Sequence, residues 1–391
     1  MDQQELFAWI RQQMPAVERY AYFNTGTCGP LPRASAAAIQ ERLLQELEEG
    51  RGAIPSFIDF AERCEAFRKP LAEWIGASPD EVALTQHTTE GMNIVLWGLP
   101  WEAGDEIITS THEHQSLLSQ LAILHQRHHV QVRYLPFNGD PEHDTLLLKK
   151  SLTRRTRLLA MSQVSWMDGR VFPIAELGRV CRQFYVPVLI DGAQSVGAIP
   201  TDVKKLGITF LAVPGQKWLC GPEGTGFLYV DEEWMSRLQM TFTGIMSIRD
   251  VTWFDQTSPY FVPAPGARRF EHGGRFKPLM AGLEASFDLL TNAVGWKWIW
   301  KNVPPLVQYA RESLSELPGV TIVTPEKYQA TLLSLKFEHH DVDDLAAKLE
   351  KEDVIVRSIH GKENYLRLSI GFFNNEEDVQ HLVHALSQLL K

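Results

Sequence analysis

Residues 186–230 read VPVLIDGAQSVGAIPTDVKKLGITFLAVPGQKWLCGPEGTGFLYV, and their punctuation decides the fold. VPVLID (186–191), ITFLAV (208–213) and TGFLYV (225–230) are short apolar runs, closed off by Gly, Pro or Asp. Such runs predict buried strands. The first ends on a carboxylate, Asp191, which is costly to bury without a partner. Lys217 lies 26 residues further on, beyond the next strand, in a turn framed by Gly and Pro.

Outward from this stretch, EVALT (81–85), DEIITS (105–110), VQVRYL (130–135) and RLLAMS (157–162) repeat the pattern. Helical patterns such as PIAELGRVCRQF (173–184) separate several of them. The alternation predicts an α/β fold, a mostly parallel sheet with helices on both faces. The first ~20 residues predict an amphipathic helix, YFNTGTCGPLP (22–32) a loop, and ASAAAIQERLLQELEEG (34–50) a helix ending at Gly50. From 232 to 278, Gly, Pro and aromatic residues predict long loops, of the kind that is functional or bridges subunits. LMAGLEASFDLLTNAVGWKWIWKNV, from 279, predicts a long helical stretch. An α+β tail follows, with strands at 320–324, 332–338, 354–360 and 365–370 and a final helix. The expected organisation is an N-terminal helix and loop (1–30), a large domain (31–278) and a smaller α+β domain (279–391).

Composition narrows the function. The 391 residues are 44% hydrophobic and 22% charged, as in a globular protein. The net charge is −10, with no basic block, which argues against nucleic acid or anionic membrane as a partner. The N-terminus lacks the basic and apolar regions of a secretory signal. No apolar run reaches the ~18 residues that span a bilayer. Cys28, Cys64, Cys181 and Cys220 form no CxxC pair, so neither a disulfide framework nor a zinc site is expected, and a reducing cytoplasm is the expected compartment.

Ligands of open α/β sheets sit beyond the carboxyl ends of the strands. After VALT comes QHTTEG, with a helix expected from near Glu90. His87, Thr88 and Thr89 therefore gather at a helix N-terminus, as a phosphate site or as a simple N-cap. After DEIITS comes THEHQS. His112 and His114 lack a third ligand of matching type nearby, and a flat imidazole there can instead stack on an aromatic ring. Asp191 either caps the next turn or faces a protonated pyridine nitrogen, with Gln194 in reach of a phenolic oxygen on the same ring. Lys217 is either a surface lysine or a desolvated amine able to form a Schiff base. Phosphate site, stacking His, strand-end Asp and downstream Lys together make the constellation of a pyridoxal 5′-phosphate enzyme.

On these residues the chain resembles the class V aminotransferase family of fold-type I pyridoxal-phosphate enzymes, which includes cysteine desulfurases and C–S lyases. The likeness runs from YFNTG to FFNNEEDV. It implies that Lys217 holds the cofactor, Asp191 pairs with the ring nitrogen, Gln194 with the phenolic oxygen, and His114 stacks on the ring. Thr88 and Thr89 would grip the phosphate. Arg367 in YLRLS would bind the substrate α-carboxylate, Arg357 would stand as a second guanidinium near it, and Thr27 would join them from the N-terminal loop. NIVLWGLPWEAGDEI, DGAQSVG, GQKWLCGPEG, RRFE and Trp166 in SWMDG are similar to the cyst(e)ine C–S lyase subgroup, where desulfurases usually carry Asn at the Trp166 position. The fold usually completes its site across a two-fold axis, so a homodimer is expected, with 243–276 near the partner's cofactor.

Some positions depart from the family pattern. Pro214 and Gln216 stand where a hydroxyl residue and a His are usual, so Gln216 would supply an amide donor. Gly274 stands where a Thr usually reaches the partner's phosphate, leaving a backbone amide or Arg275 to substitute. Desulfuration needs a mobile Cys, yet SIHGKENYL (358–366) has none. The expected reaction is therefore α,β-elimination from cystine or an S-substituted cysteine. An aminotransferase or epimerase is the alternative, ahead of a cysteine desulfurase.

Overall fold

The structure is a computed structural model and describes residues 2–249 and 257–391. The chain enters through a short strand, β1 (Ala21–Tyr22). The main sheet comes next: β2 (Val82–Thr85), β3 (Glu106–Ser110), β4 (Gln131–Leu135), β5 (Thr156–Ser162), β6 (Val188–Asp191), β7 (Phe210–Pro214) and β8 (Gly226–Val230). Its seven strands lie in the order β2-β8-β7-β6-β5-β3-β4. β8 runs antiparallel to β2 and β7, and the other neighbours are parallel.

Alternation along single strands explains why these runs look uniformly apolar. Ile107, Leu158, Leu189 and Ala212 enter one core, and their neighbours Ile108, Leu159, Ile190 and Leu211 enter the other. Successive side chains point to opposite faces, so a strand covered on both sides needs apolar residues at every position. Helices Thr88–Gly98 and Gln115–His128 cover the first face with Met92, Val95, Leu117 and Leu121. Helix Ile174–Gln183 covers the second with Leu177 and Cys181.

A second sheet, antiparallel throughout, joins β12 (Arg357–Ile359), β13 (Tyr365–Ser369), β10 (Leu332–Phe337) and β9 (Val320–Ile322) in that order. β11 (Val354–Ile355) instead pairs with β1 in parallel. VIVRSIH is thus two strands rather than the single one expected, because its halves have different partners. Phe23 extends the tie by accepting from Ser369 N–H at 2.7 Å.

Helices differ from expectation where Pro or Gly intervenes. The N-terminal helix stops at Gln13 and a short one restarts at Ala16, with Pro15 between them unable to donate to the ladder. The stretch from 279 is not continuous. Helix Lys277–Asp288 and a π-turn over Leu289–Val294 end at Gly295, whose φ is +89°, before helix Trp296–Ser315 begins. Helix Ile54–Trp74 has no counterpart in the sequence reading, for Pro55 and Pro70 both lie within it. The stretch 232–278 carries 3₁₀ turns at Glu232–Trp234, Ile245–Ser247 and Gly266–Phe270. Within it, 250–256 lie outside the described residues, including part of the 243–276 segment expected near the partner's cofactor. Among the described residues no helix is long and apolar enough to cross a membrane.

Candidate active site

The carboxyl ends of β3, β5, β6 and β7 stop at Ser110, Ser162, Asp191 and Pro214, and Ser162 stands beside Asp191 in register. Above them opens a cleft with about 980 Å³ of empty space. It is lined by Lys217, Asp191, His114, Thr88, Thr89, Gln194, Gln216, Thr27, Trp166, Arg357 and Arg367, whereas His112, Gly274 and Arg275, also singled out in sequence, are not part of its lining.

Lys217 sits in the turn after β7. The N-terminal loop closes over that turn: Gly29 N–H donates to Gln216 O at 2.7 Å, and a Cβ on Gly29 would collide with the Lys217 carbonyl. Burial pulls the Lys217 ammonium down to about 8, against the opposing attraction of Asp191. A useful fraction of the amine is then unprotonated near neutrality. Other lysines are engaged elsewhere: Lys204 with Glu81 and Asp231, Lys205 with Asp202, Lys277 with Ser56.

Asp191 is buried, and its Oδ1 accepts from Ala193 N–H at 2.9 Å. Among the described residues no cation lies within 4.0 Å of it. Gln194 is already braced: Nε2 donates to Gly26 O at 2.7 Å, and Oε1 accepts from Trp218 Nε1 at 3.1 Å. One amide hydrogen is left for a ligand. His114 caps helix Gln115–His128, its Nδ1 accepting from Ser116 N–H at 3.1 Å. That bond leaves the proton on Nε2, and burial, then Lys217, hold the imidazole below its ordinary range. The Trp166 ring stands edge-on to it at 4.8 Å between centroids.

Helix Thr88–Gly98 begins at Thr88 rather than near Glu90, because His87 is the cap: its Nδ1 accepts from Glu90 N–H at 3.0 Å. The first-turn amides of Thr88 and Thr89 have no intrahelical acceptor and point out of the helix at the cleft. The side-chain oxygen of Gln216 is buried with no partner. Arg275 does not stretch outward as one reading of the sequence expected. The buried Glu271 carboxylate draws it inward at 3.2 Å, and its guanidinium also donates to Leu84 O. Gly274 is exposed and has open space around it, leaving the backbone-amide alternative at that place.

Arg367 is the most unbalanced group in the cleft. It is 2% exposed, donates to Trp166 O at 2.9 Å and Thr27 Oγ1 at 3.3 Å, and its Nε is orphaned. No carboxylate among the described residues lies within 4.0 Å. Burial, then Arg357, draw it down to about 9. An anion delivered by a ligand would balance this charge. Arg357 pairs with Arg367 across β12 and β13 but is exposed, at the rim.

The aminotransferase class-V family matches residues 21–382. The chain belongs to that family. It is 27% identical over 395 residues to a "probable cysteine desulfurase" of Methanothermobacter thermautotrophicus, covering 97% of each chain. It is 30% identical over 405 residues to a "cysteine desulfurase" of Cronobacter sakazakii, again covering 97% of each. Among solved structures it resembles the cystine C–S lyase C-DES in complex with its reaction product cysteine persulfide. The TM-score is 0.90 at 29% identity, over 96% of this chain and 99% of that one. A lysine-to-alanine variant of C-DES, with glycine covalently linked to its PLP cofactor, gives TM-score 0.90 at 29% identity, over 96% and 98%.

The class V site also contains a group that the sequence reading missed, although it stands between the two histidines singled out. Glu113 is 3% exposed and lies behind Asp191. Ser162 donates to its Oε2 through N–H at 2.8 Å and Oγ at 2.7 Å, and Ser110 Oγ donates to Oε1. A carboxyl just after a buried strand was the available signal. Burial pushes Glu113 up to about 7, with Asp191 adding to the rise and the serine bonds opposing it. The neutral form is thus preferred in the fold but not in the unfolded chain. Its stabilisation is full below about pH 4.5 and lost as pH rises through 7, a swing of about 3 kcal/mol. Glu113→Gln should therefore gain on the wild type in thermal melts between pH 5 and pH 8. A melting difference that does not change with pH would remove the assignment.

Proposed function

We propose that this class V enzyme catalyses α,β-elimination from cystine or an S-substituted cysteine, releasing pyruvate, ammonia and the sulfur fragment. Membership of the family makes it a pyridoxal 5′-phosphate-dependent enzyme acting on an amino acid. The donor set fits that cofactor: free first-turn amides for a phosphate, a strand-end carboxylate without a cation, an aromatic platform and an amine drawn down to about 8. Bound there, the cofactor supplies an electron-withdrawing ring that stabilises negative charge at the substrate Cα.

The chain's own residues do the rest of this reading. Thr88, Thr89 and the Gln216 amide would hold the phosphate. Asp191 would pair with the ring nitrogen, Gln194 would give its remaining hydrogen to the phenolic oxygen, and His114 would supply a platform for the ring. Arg367 clamps the α-carboxylate, with Thr27 and Trp166 fixing the guanidinium, so that one Cα bond is presented to Lys217. Lys217 Nζ takes the Cα proton, and the sulfur leaves as its bond to Cβ breaks. Water then converts the remaining three-carbon fragment to pyruvate and ammonia.

The β12–β13 hairpin carries this choice of reaction. Its loop, 360–364, is short and holds no thiol to accept sulfur. Cys64, Cys181 and Cys220 are buried and pushed up to about 12. Desulfuration is the second reading, favoured by the names of the relatives and by Cys28, which lines the cleft. One assay separates them. Supplied with cystine, the enzyme should form pyruvate and ammonia, and a variant lacking all four cysteines should keep that activity. Supplied with cysteine instead, formation of alanine with a protein-bound persulfide would establish the second reading, and consumption of a 2-oxo acid would mark a transaminase.

The same reading fixes two further outcomes. Borohydride reduction of the holoenzyme and peptide mapping should place the pyridoxyl group on Lys217. A label on Lys204, Lys205 or Lys277 would contradict it. The reading also includes a homodimer, supported by apolar side chains left in water: Leu47 (77%), Ile54 (74%) and Ile245 (60%), with Phe57, Phe242 and Phe276. Sedimentation should show a dimer, and a fully active monomer would refute that part.

A further inference from the structure

Glu113 is a buried carboxyl that the chemistry proposed at Lys217 leaves unused. It fills a gap in the main sheet. The register of β3 with β5 runs as far as Ile108 and Leu159, and the strand ends beyond it are not paired with each other. There Ser162 N–H, at the end of β5, goes to Glu113 Oε2 at 2.8 Å, and Ser162 Oγ joins it at 2.7 Å. Ser110 Oγ, at the end of β3, donates to Oε1. One side chain thus spans the two strand ends. Among the described residues no cation lies within 4.0 Å of it.

The next residue serves the cleft. His114 is part of its lining, whereas Glu113 is not. Thr111, His112 and Glu113 are all that separates β3 from His114, the cap of helix Gln115–His128. Thr111 N–H donates to Leu135 O at 3.1 Å, and His112 N–H to Ser110 Oγ at 3.0 Å. Among the described residues the hydrogen bonds of the His114 ring reach Ser116 alone, to its N–H at 3.1 Å and its Oγ at 3.0 Å. Those bonds orient the imidazole on its own helix and do not tie it to the sheet. Glu113, one peptide unit away, makes that tie. A ring platform has to be held within about 0.5 Å of its working position, which takes a supporting shell.

We propose that Glu113 is a positioning residue: by clamping the ends of β3 and β5 together, it fixes the height at which His114 meets the cofactor ring. The proposal goes beyond the reaction and rests on one part of the reading above, His114 as the platform for that ring. The role asks for reach rather than charge. Burial favours the neutral form of the carboxyl, and the amide of Glu113→Gln reproduces that form. Its oxygen accepts both Ser162 donors, and its nitrogen donates to the second lone pair of Ser110 Oγ. Glu113→Asp keeps the carboxyl but is one methylene too short to span both strand ends.

The rate at which the holoenzyme releases its cofactor on dilution, followed by the visible absorbance of the bound ring, tests this in a double-mutant cycle. A stacked ring contact is worth up to about tenfold, so His114→Ala should speed release by that much and Glu113→Asp should match it. The double variant should be no faster than His114→Ala alone, because Glu113 acts through that imidazole. Glu113→Gln should stay within about twofold of the wild type. Ser110→Ala cuts the same clamp from the other strand and should share the effect, so the cycle can be run through it if Glu113→Asp does not fold. A double variant that releases faster than His114→Ala would overturn the clamp. So would a wild-type rate in Glu113→Asp beside a fast Glu113→Gln, the pattern of a role through charge. An unchanged rate in His114→Ala would refute the platform and the clamp together. Because no outcome involves sulfur, the result stands apart from the pyruvate assay.

Discussion

A lysine amine that loses its proton near neutrality has to be shut away from water, and that requirement draws distant parts of the chain around Lys217. The turn after β7 supplies one wall. The N-terminal loop supplies another, pinned by the Gly29–Gln216 hydrogen bond. Close approach is possible because Gly29 and Gly215 have no side chains; a Cβ on either would strike the Lys217 carbonyl or Thr225 Oγ1. That loop is in turn anchored by the β1–β11 pairing and by Phe23 against Ser369. The second sheet is thereby fixed over the ends of the first. A side chain at position 29 would loosen the cover and let the amine regain an ordinary pKa.

The same enclosure acts on three further ionisable groups of the cleft floor and walls, Arg367, Glu113 and His114. Lys217 and Arg367 are drawn down and Glu113 is pushed up, each toward its neutral form, because burial disfavours charge of either sign. The groups differ in how the fold answers the cost. Glu113 is met by serine donors on two strand ends. Arg367 is met by a carbonyl and a hydroxyl, and among the described residues by no carboxylate within 4.0 Å. A site whose strongest imbalance is a buried guanidinium is built to receive an anion from outside. Perturbed groups of opposite type facing one cleft are the electrostatic mark of a catalytic site.

Much of this was legible in the sequence because strand ends were. Every strand predicted from a β-branched run is present, and Asp191, Lys217, Thr88 and His114 stand at or just beyond the carboxyl ends of those strands, where an open sheet holds its ligands. Class V membership, read from those residues, agrees with the comparison with known proteins. The misses have local causes. The split of VIVRSIH depends on β1, a partner more than 300 residues away, and no local pattern contains it. Helix Ile54–Trp74 is hidden by its prolines. Arg275 looked free because its captor, the buried Glu271, is four residues away on an irregular segment. Glu113 was overlooked because the flanking histidines drew the reading toward metal or stacking.

Fold and family make the protein an enzyme that acts on an amino acid, yet they leave the fate of a substrate sulfur to whatever nucleophile can reach it. Accepting sulfur requires a thiolate that moves to the substrate. The thiols on the main sheet side are buried and held protonated. Cys28 is nearer, but it rests against a carboxylate that favours its protonated form, the reverse of the cationic setting that activates a cysteine. Elimination asks for none of this. It needs a base at Cα and a cation for the carboxylate, the roles proposed above for Lys217 and Arg367, whose buried charges an anionic ligand would balance.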